Sequence, residues 1–225
     1  MFKKATLDFL DELANNNTRA WFEENKARYE SLVREPALDF IEAMAPALKS
    51  ISPHFRADTR KKVGGSLMRV FRDTRFSRDK TPYKTNIGIQ FRHDLGKDVH
   101  APGFYVNIAN GDCFLGAGCW HPEPDALGRI RDLIAAKPAA WAKARDHERF
   151  ATCWTLAGDS LTRPPRGYAA DHAEIEDIKR KDFIGLSPLS ARDITPARLV
   201  DVAATRFAAA SSLVEFLCRA LDVPY

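Results

Sequence analysis

Leu7, Leu10 and Leu13 recur at three-residue intervals with Phe9 among them, which is the spacing of one apolar helix face over Thr6 to Ala14. Asn15-Asn16-Asn17 closes that pattern, and Thr18 is placed to cap a second, longer helix with Glu23 and Glu24 in its early turns. Phe22, Tyr29, Val33, Phe40, Ile41, Met44 and Leu48 carry the apolar face of that helix. Pro36 is expected to kink it and Pro46 to end it, because proline brings no amide hydrogen. After Gly64-Gly65 the period shortens. Ile87, Ile89 and Phe91 alternate with Gly88, Gln90 and Arg92, which predicts a half-buried strand. Asn110-Gly111 is the preferred pair for a two-residue type I′ hairpin. A turn there pairs Ile108 with Cys113, Val106 with Leu115 and Phe104 with Ala117, so one face of the hairpin is apolar throughout. The opposite face carries Tyr105, Asn107, Phe114, Gly116, Gly118 and Trp120.

Downstream the helical period returns. Asp125 is expected to cap a helix holding Leu127, Ile130, Leu133 and Ile134, and Pro138 to open another around Trp141. The stretch LTRPPRGYAADH reads as loop, His172 to Lys181 as a charged helix, and Asp182 to Leu186 as a strand. Thr195-Pro196 predicts an N-cap followed by proline, opening a helix through Leu199, Val202, Arg206, Leu213, Leu217 and Leu221. Strands in the middle with helices on both sides predict a single α+β domain over residues 1–225, built on a central antiparallel meander.

Composition adds limits. With 225 residues, 45% hydrophobic and 28% charged, the chain has the make-up of an ordinary globular protein and enough length for a full core. No run approaches the roughly 18 apolar residues of a membrane span. The start, MFKKATLDFLDEL, lacks the uninterrupted apolar stretch of a secretion signal. Cys113, Cys119, Cys153 and Cys218 form no CxxC pair, so free thiols in a reducing cytoplasm are expected.

The net charge of +4 conceals a concentration. Arg56 to Lys84 holds ten Lys/Arg against three Asp, a local +7, which leaves −3 for the remainder. Within it, Arg69, Arg72, Arg75, Arg78, Lys80 and Lys84 are interleaved with Thr74, Ser77, Thr81, Tyr83 and Thr85. Guanidinium forks and hydroxyls gathered on one loop are what a phosphate or carboxylate needs. On this reading Arg72, Arg75 and Arg78 supply forked donors, and Lys80 and Lys84 add point charge. Thr74, Ser77 and Thr81 complete the donor set, while Asp73 or Asp79 holds an arginine in place. The competing reading is a structural ion network, closed within the loop or by helix carboxylates. The Tyr105, Asn107, Phe114, Trp120 face also stays open between two uses. A packed helix is the plainer expectation, and a ligand fits if the basic loop lies at its rim.

Other chemistry is thin. His121 follows Cys119 in CWHP, but no second pair stands at metal spacing, so no metal site is expected. His172 beside Asp171 is the best acid–base candidate. Asp73 and Asp79 are weaker ones, since a carboxylate surrounded by arginines is a poor base. The absence of GxSxG, HExxH, P-loop and dinucleotide fingerprints removes those enzyme classes and gives no reason to expect a cofactor. Three functions remain: binding of an anionic small molecule, with or without catalysis; nucleic-acid binding; and a structural or partner-docking role. The small overall charge and lack of a basic tail disfavour nucleic acid.

Four segments, FLDELANNNTRAWFEENKARYE, RVFRDTRFSRDKTPYKT, GDCFLGAGCWHP and RPPRGYAADH, span nearly the whole chain. Through them it resembles a family of uncharacterised proteins known as domain of unknown function 2461. The resemblance implies one continuous domain in a mostly bacterial, intracellular type of protein. It supplies no established activity, cofactor or catalytic residue, so no site carries over.

Overall fold

Six strands form one antiparallel sheet in the order β1-β2-β3-β4-β6-β5. They are β1 (Phe55–Arg56), β2 (Ile87–His93), β3 (Gly103–Ile108), β4 (Phe114–Cys119), β5 (Thr155–Ala157) and β6 (Phe183–Pro188). The computed structural model describes residues 2–60, 64–95 and 101–225. The architecture is α+β. Ile87, Ile89, Phe91, Phe104, Val106, Ile108, Leu115 and Ala117 point to one side and are buried in a continuous core. Among the described residues no helix is long and apolar enough to cross a membrane.

The hairpin has the predicted register, with Phe104 opposite Ala117 and Val106 opposite Leu115. Its turn differs from type I′, which needs positive φ at both central residues. Only Gly111 has it, at +72°. The Asn110 side chain instead donates to Asp11 of α1 (Lys4–Asn15) at 2.5 Å, a tertiary tie that outweighs the local turn preference. Gly118 is held by a different constraint. At φ +120°, any Cβ there would stand 2.1 Å from the Phe183 carbonyl oxygen of the neighbouring strand.

Thr18 does cap a helix, its Oγ1 accepting from the Trp21 N–H at 3.3 Å. The expected long helix is broken into α2 (Arg19–Glu24), α3 (Lys26–Tyr29), a π turn (Glu30–Arg34) and α4 (Glu35–Ile51). The π turn lies just ahead of Pro36, where the helical ladder loses a donor. Pro46 does not end α4, which continues to Ile51 with Met44 and Leu48 buried on its inner face.

Helices α5 (Pro124–Ala136), α6 (Pro138–Arg145) and α7 (Glu148–Cys153) follow the sheet's central strands. Asp125 lies in the first turn of α5 rather than at its cap. The charged helix expected over His172 to Lys181 shrinks to α8 (Ile175–Ile178). Its Asp177 is drawn inward, accepting from Trp141 Nε1 at 2.7 Å and pairing with Arg145 and Arg180 at 2.6 Å each. Thr195 caps nothing: its hydroxyl donates to the Arg192 carbonyl, and α9 (Leu199–Ala209) starts four residues later. The chain then breaks at Ala210 before α10 (Ser211–Ala220). Helices α4, α9 and α10 pack over the apolar side of the sheet.

Candidate functional site

The basic stretch is an arm along the outer edge of β2. Ser66 to Arg72 runs antiparallel beside Pro82 to Gln90, with bridges from Leu67 to Ile89 and from Phe71 to Tyr83. Gln90 N–H donates to the Ser66 carbonyl at 2.8 Å, Met68 N–H to Gly88 at 2.9 Å and Lys84 N–H to Val70 at 2.7 Å. The Asn17 side chain pins this arm to the α1–α2 junction. Its amide donates to the Tyr83 carbonyl at 2.9 Å and its oxygen accepts from the Tyr83 N–H at 3.0 Å, as a strand partner would. The Tyr83 ring stacks on Phe22 with centroids 4.0 Å apart.

At the tip, residues 73–81, charge is closed locally. Arg72 pairs with Asp79 and also donates to Thr81, while Arg75 pairs with Asp73 at 2.7 Å. Lys80 donates to the Thr74 carbonyl at 2.8 Å. Bonds from the Thr81 backbone, Arg72 and the Thr81 side chain hold the Asp79 carboxyl down at about 2. Arg75 does the same for Asp73, also to about 2. Phe76 is 97% exposed between Arg75 and Arg78. None of Arg72, Arg75, Arg78, Lys80, Thr74, Ser77 or Thr81 lines either of the two cavities beside the arm.

The root of the arm is different. A cavity of about 430 Å³ opens there against the helices, lined by Arg34, Arg60, Arg69, Lys84 and Arg92. Tyr29, Leu38, Leu67, Met68, Val70 and Phe71 supply its apolar wall, and no carboxylate is among its described lining residues. Arg34 pairs with Glu30 at 3.0 Å and Arg60 with Asp58 at 2.5 Å. Arg69, Lys84 and Arg92 make no ion pair among the described residues. Arg92 donates to the Gly65 carbonyl at 3.3 Å, and its Nε is buried without a hydrogen-bond partner. Burial, and then the neighbouring Arg69, pull the Lys84 ammonium below its ordinary pKa. Arg69 and Lys84 belong to the loop picked out from the sequence. Arg34 and Arg92 were missed; Arg92 was read only as part of the polar face of the alternating strand.

A second cavity of about 470 Å³ covers the solvent side of the sheet. Its floor and walls are Tyr105, Phe114, Gly116, Gly118, Trp120, Ile184 and Leu186, with Gln90 and Asn86. Met68 and Lys84 line both cavities, so the basic notch and the apolar floor meet at these two side chains. Among the described residues no helix residue lines this cavity; the helices take the opposite face, where the apolar rows of β2, β3 and β4 lie. Asn107 is buried and spoken for, accepting from Asn86 at 2.7 Å and donating to the Asp112 carbonyl at 2.7 Å. A family model described as a conserved hypothetical protein, DUF2461, matches residues 5–216, a span that includes both cavities.

The chain belongs to the DUF2461 family. No curated protein and no solved structure matches it. Family membership brings no assigned residue, and the remaining candidates in this DUF2461 chain stand on geometry alone. The arrangement does not bring His172 to either cavity. One ring nitrogen accepts from the Glu174 N–H at 3.0 Å and the other lies 3.3 Å from the Ala135 carbonyl, which ties the imidazole between its own loop and the end of α5. His121 Nδ1 sits 2.9 Å from the buried Asp182 carboxylate, whose oxygens also accept from the His121 and Asp159 backbone amides. Cys119 is fully buried.

Proposed function

We propose that this DUF2461 protein binds an anionic small molecule, with a phosphate or carboxylate head between Arg69, Lys84 and Arg92 and an apolar or aromatic body on the sheet face. The observation that carries it is a cavity of about 430 Å³ lined by five cations and, among the described residues, no carboxylate. The Lys84 ammonium is held below its ordinary pKa first by burial and then by its like-charged neighbour Arg69, so its charge is unfavourable without an anion. An incoming anion relieves it, and guanidinium forks add directional hydrogen bonds. The adjoining cavity of about 470 Å³ is of a size that takes a small organic body. Nucleic acid fits less well, because tracking a backbone needs cations spread along a path rather than converging on one notch.

The test is a thermal-shift series with inorganic phosphate, pyrophosphate, nucleoside monophosphates and aryl carboxylates. A ligand that binds only the folded state raises the melting temperature with the logarithm of its concentration. Arg69→Ala and Arg92→Ala should each reduce the shift sharply, and Arg78→Ala at the arm tip should keep it. No shift from any of these anions, or equal shifts in all three variants, overturns the reading. Binding to single-stranded RNA or DNA that weakens with salt at about −0.7 per phosphate contacted would replace it with the nucleic-acid reading.

A further inference from the structure

His54 directly precedes β1, and His93-Asp94 closes β2; the pairing of Phe55 with His93 brings the three side chains together. Nδ1 of His54 lies 3.5 Å from one Asp94 oxygen, and Nδ1 of His93 lies 3.4 Å from the other. One donor atom from each residue stands within 4.8 Å of the other two. Asp94 N–H donates to the His54 carbonyl at 2.7 Å, which fixes the two backbones relative to one another.

Three observations give this cluster a purpose beyond packing. Oδ1 of Asp94 is buried and accepts no hydrogen bond among the described residues, which is an unfavourable state for a carboxylate oxygen. His93 Nε2 lies 2.7 Å from the Pro224 carbonyl, an acceptor only, so the proton resides on Nε2 and Nδ1 is left as an acceptor, which the Leu95 N–H meets at 3.1 Å. A backbone carbonyl behind the ring is the usual outer partner of a metal-ligating imidazole. Lastly, His93 is sealed at 2% exposure, whereas His54 and Asp94 retain 29% and 25%. That leaves one side of the cluster open to water.

We propose that His54, His93 and Asp94 form a site for a divalent transition metal of the zinc type, with water completing the shell. Donors held 2.0–2.2 Å from a tetrahedral zinc ion are about 3.4 Å apart; each imidazole stands at nearly that distance from one of the two Asp94 oxygens, so the carboxylate can meet the ion through either. Two imidazoles and one carboxylate suit zinc, cobalt, nickel or ferrous iron, whereas calcium and magnesium prefer shells of oxygen. Binding displaces the Leu95 N–H that sits 3.1 Å from His93 Nδ1 and the distant Arg56 guanidinium, 3.9 Å from Asp94. Arg56 is exposed and free to turn aside, whereas the Leu95 amide must rotate away from His93 Nδ1 for the ring to take the ion. The inference does not rest on the anion reading.

Chelator-treated full-length protein is titrated with Zn²⁺ by calorimetry and with Co²⁺ by absorption. The expected result is one ion per chain, and a cobalt spectrum with no thiolate charge-transfer band, which sets aside the part-exposed Cys113 and Cys153. His54→Ala and Asp94→Asn should each weaken zinc binding at least about tenfold, since loss of even an outer partner of a metal ligand costs about 10- to 100-fold. Their circular dichroism and melting in chelator serve as the fold control. If either variant unfolds, the histidine ring signals of the wild type decide: Zn²⁺ should shift His54 and His93 together and leave His121 and His172 in place. Absence of saturable uptake, equal affinity in folded variants, a thiolate band, or ring shifts elsewhere overturns the proposal.

Discussion

Lys84 carries a charge that its folded surroundings oppose, first through burial and then through Arg69. Its folded pKa therefore lies below the 10.5 of the free side chain. Between the lowered value and 10.5 the unfolded chain holds more protons than the folded one, so stability rises with pH across that window. At neutral pH, below the window, the penalty stands. Lys84→Met keeps the length of the side chain and removes the charge, so the ligand-free melting temperature should go up. For a chain of this size each 1 kcal/mol is worth about 2–4 °C. The same variant should lose the thermal shift with phosphate. Scanning fluorimetry with and without phosphate reads both, and a fall in the ligand-free melting temperature would show the ammonium to be a structural support instead. Gly111 offers a second residue-level check. A β-branched side chain resists its φ of +72°, although the space around it is open, so Gly111→Val should destabilise by about 1 kcal/mol or more in a urea melt.

The arm of residues 66–90 is the element on which the site depends, and Asn17 is its anchor. Asn17→Ala removes both partners of the Tyr83 backbone while that residue stays buried. The expected loss is about 1–3 kcal/mol, with a smaller phosphate shift because Lys84 is the next residue along. Asn17→Asp keeps the acceptor for Tyr83 N–H and loses the donor to its carbonyl, so it should fall between. The tip responds to acid in its own way. Asp73 and Asp79 titrate at about 2 when folded, so their pairs persist below the free carboxyl value and open only as pH falls toward 2. Amide signals of Arg75 and Thr81 followed by NMR should move there, and movement centred near pH 3.8 would show the pairs to be broken in solution. This element also shows what a sequence displays and what it hides. Long periodic segments such as α1, β2 and the β3–β4 hairpin were legible, whereas β1 and β5, at two and three residues, are too short to have a period. The charged stretch from His172 to Lys181 was read as a helix, but only α8 forms there, with Asp177 buried among Arg145, Arg180 and Trp141. The basic run was legible as a cluster. Its division into a self-paired tip and an open root was not, because Arg72 finds Asp79 across a loop and Arg92 arrives from β2.

At the scale of the whole molecule, an all-antiparallel sheet covered by helices on its apolar side leaves the other side to solvent. Here that side is recessed and floored partly by glycine, with Tyr105, Phe114 and Trp120 standing around it. The arm closes one border, and its two shared residues, Met68 and Lys84, join this apolar floor to the cation-lined notch. A ligand matched to both cavities has a charged head and a flat body, and its affinity should divide accordingly. Phenyl phosphate should bind more tightly than inorganic phosphate. Trp120 is 50% exposed, so Trp120→Ala should fold normally while it removes one aromatic wall. A ring contact is worth about 0.5–1.5 kcal/mol, so phenyl phosphate should weaken about 2- to 10-fold in this variant. Inorganic phosphate should be unaffected, since Trp120 is absent from the lining of the basic cavity. Arg69→Ala should weaken both ligands alike. Titration calorimetry on the three proteins gives all six affinities. Equal binding of the two phosphates by the wild type would separate the cavities and confine the site to the notch.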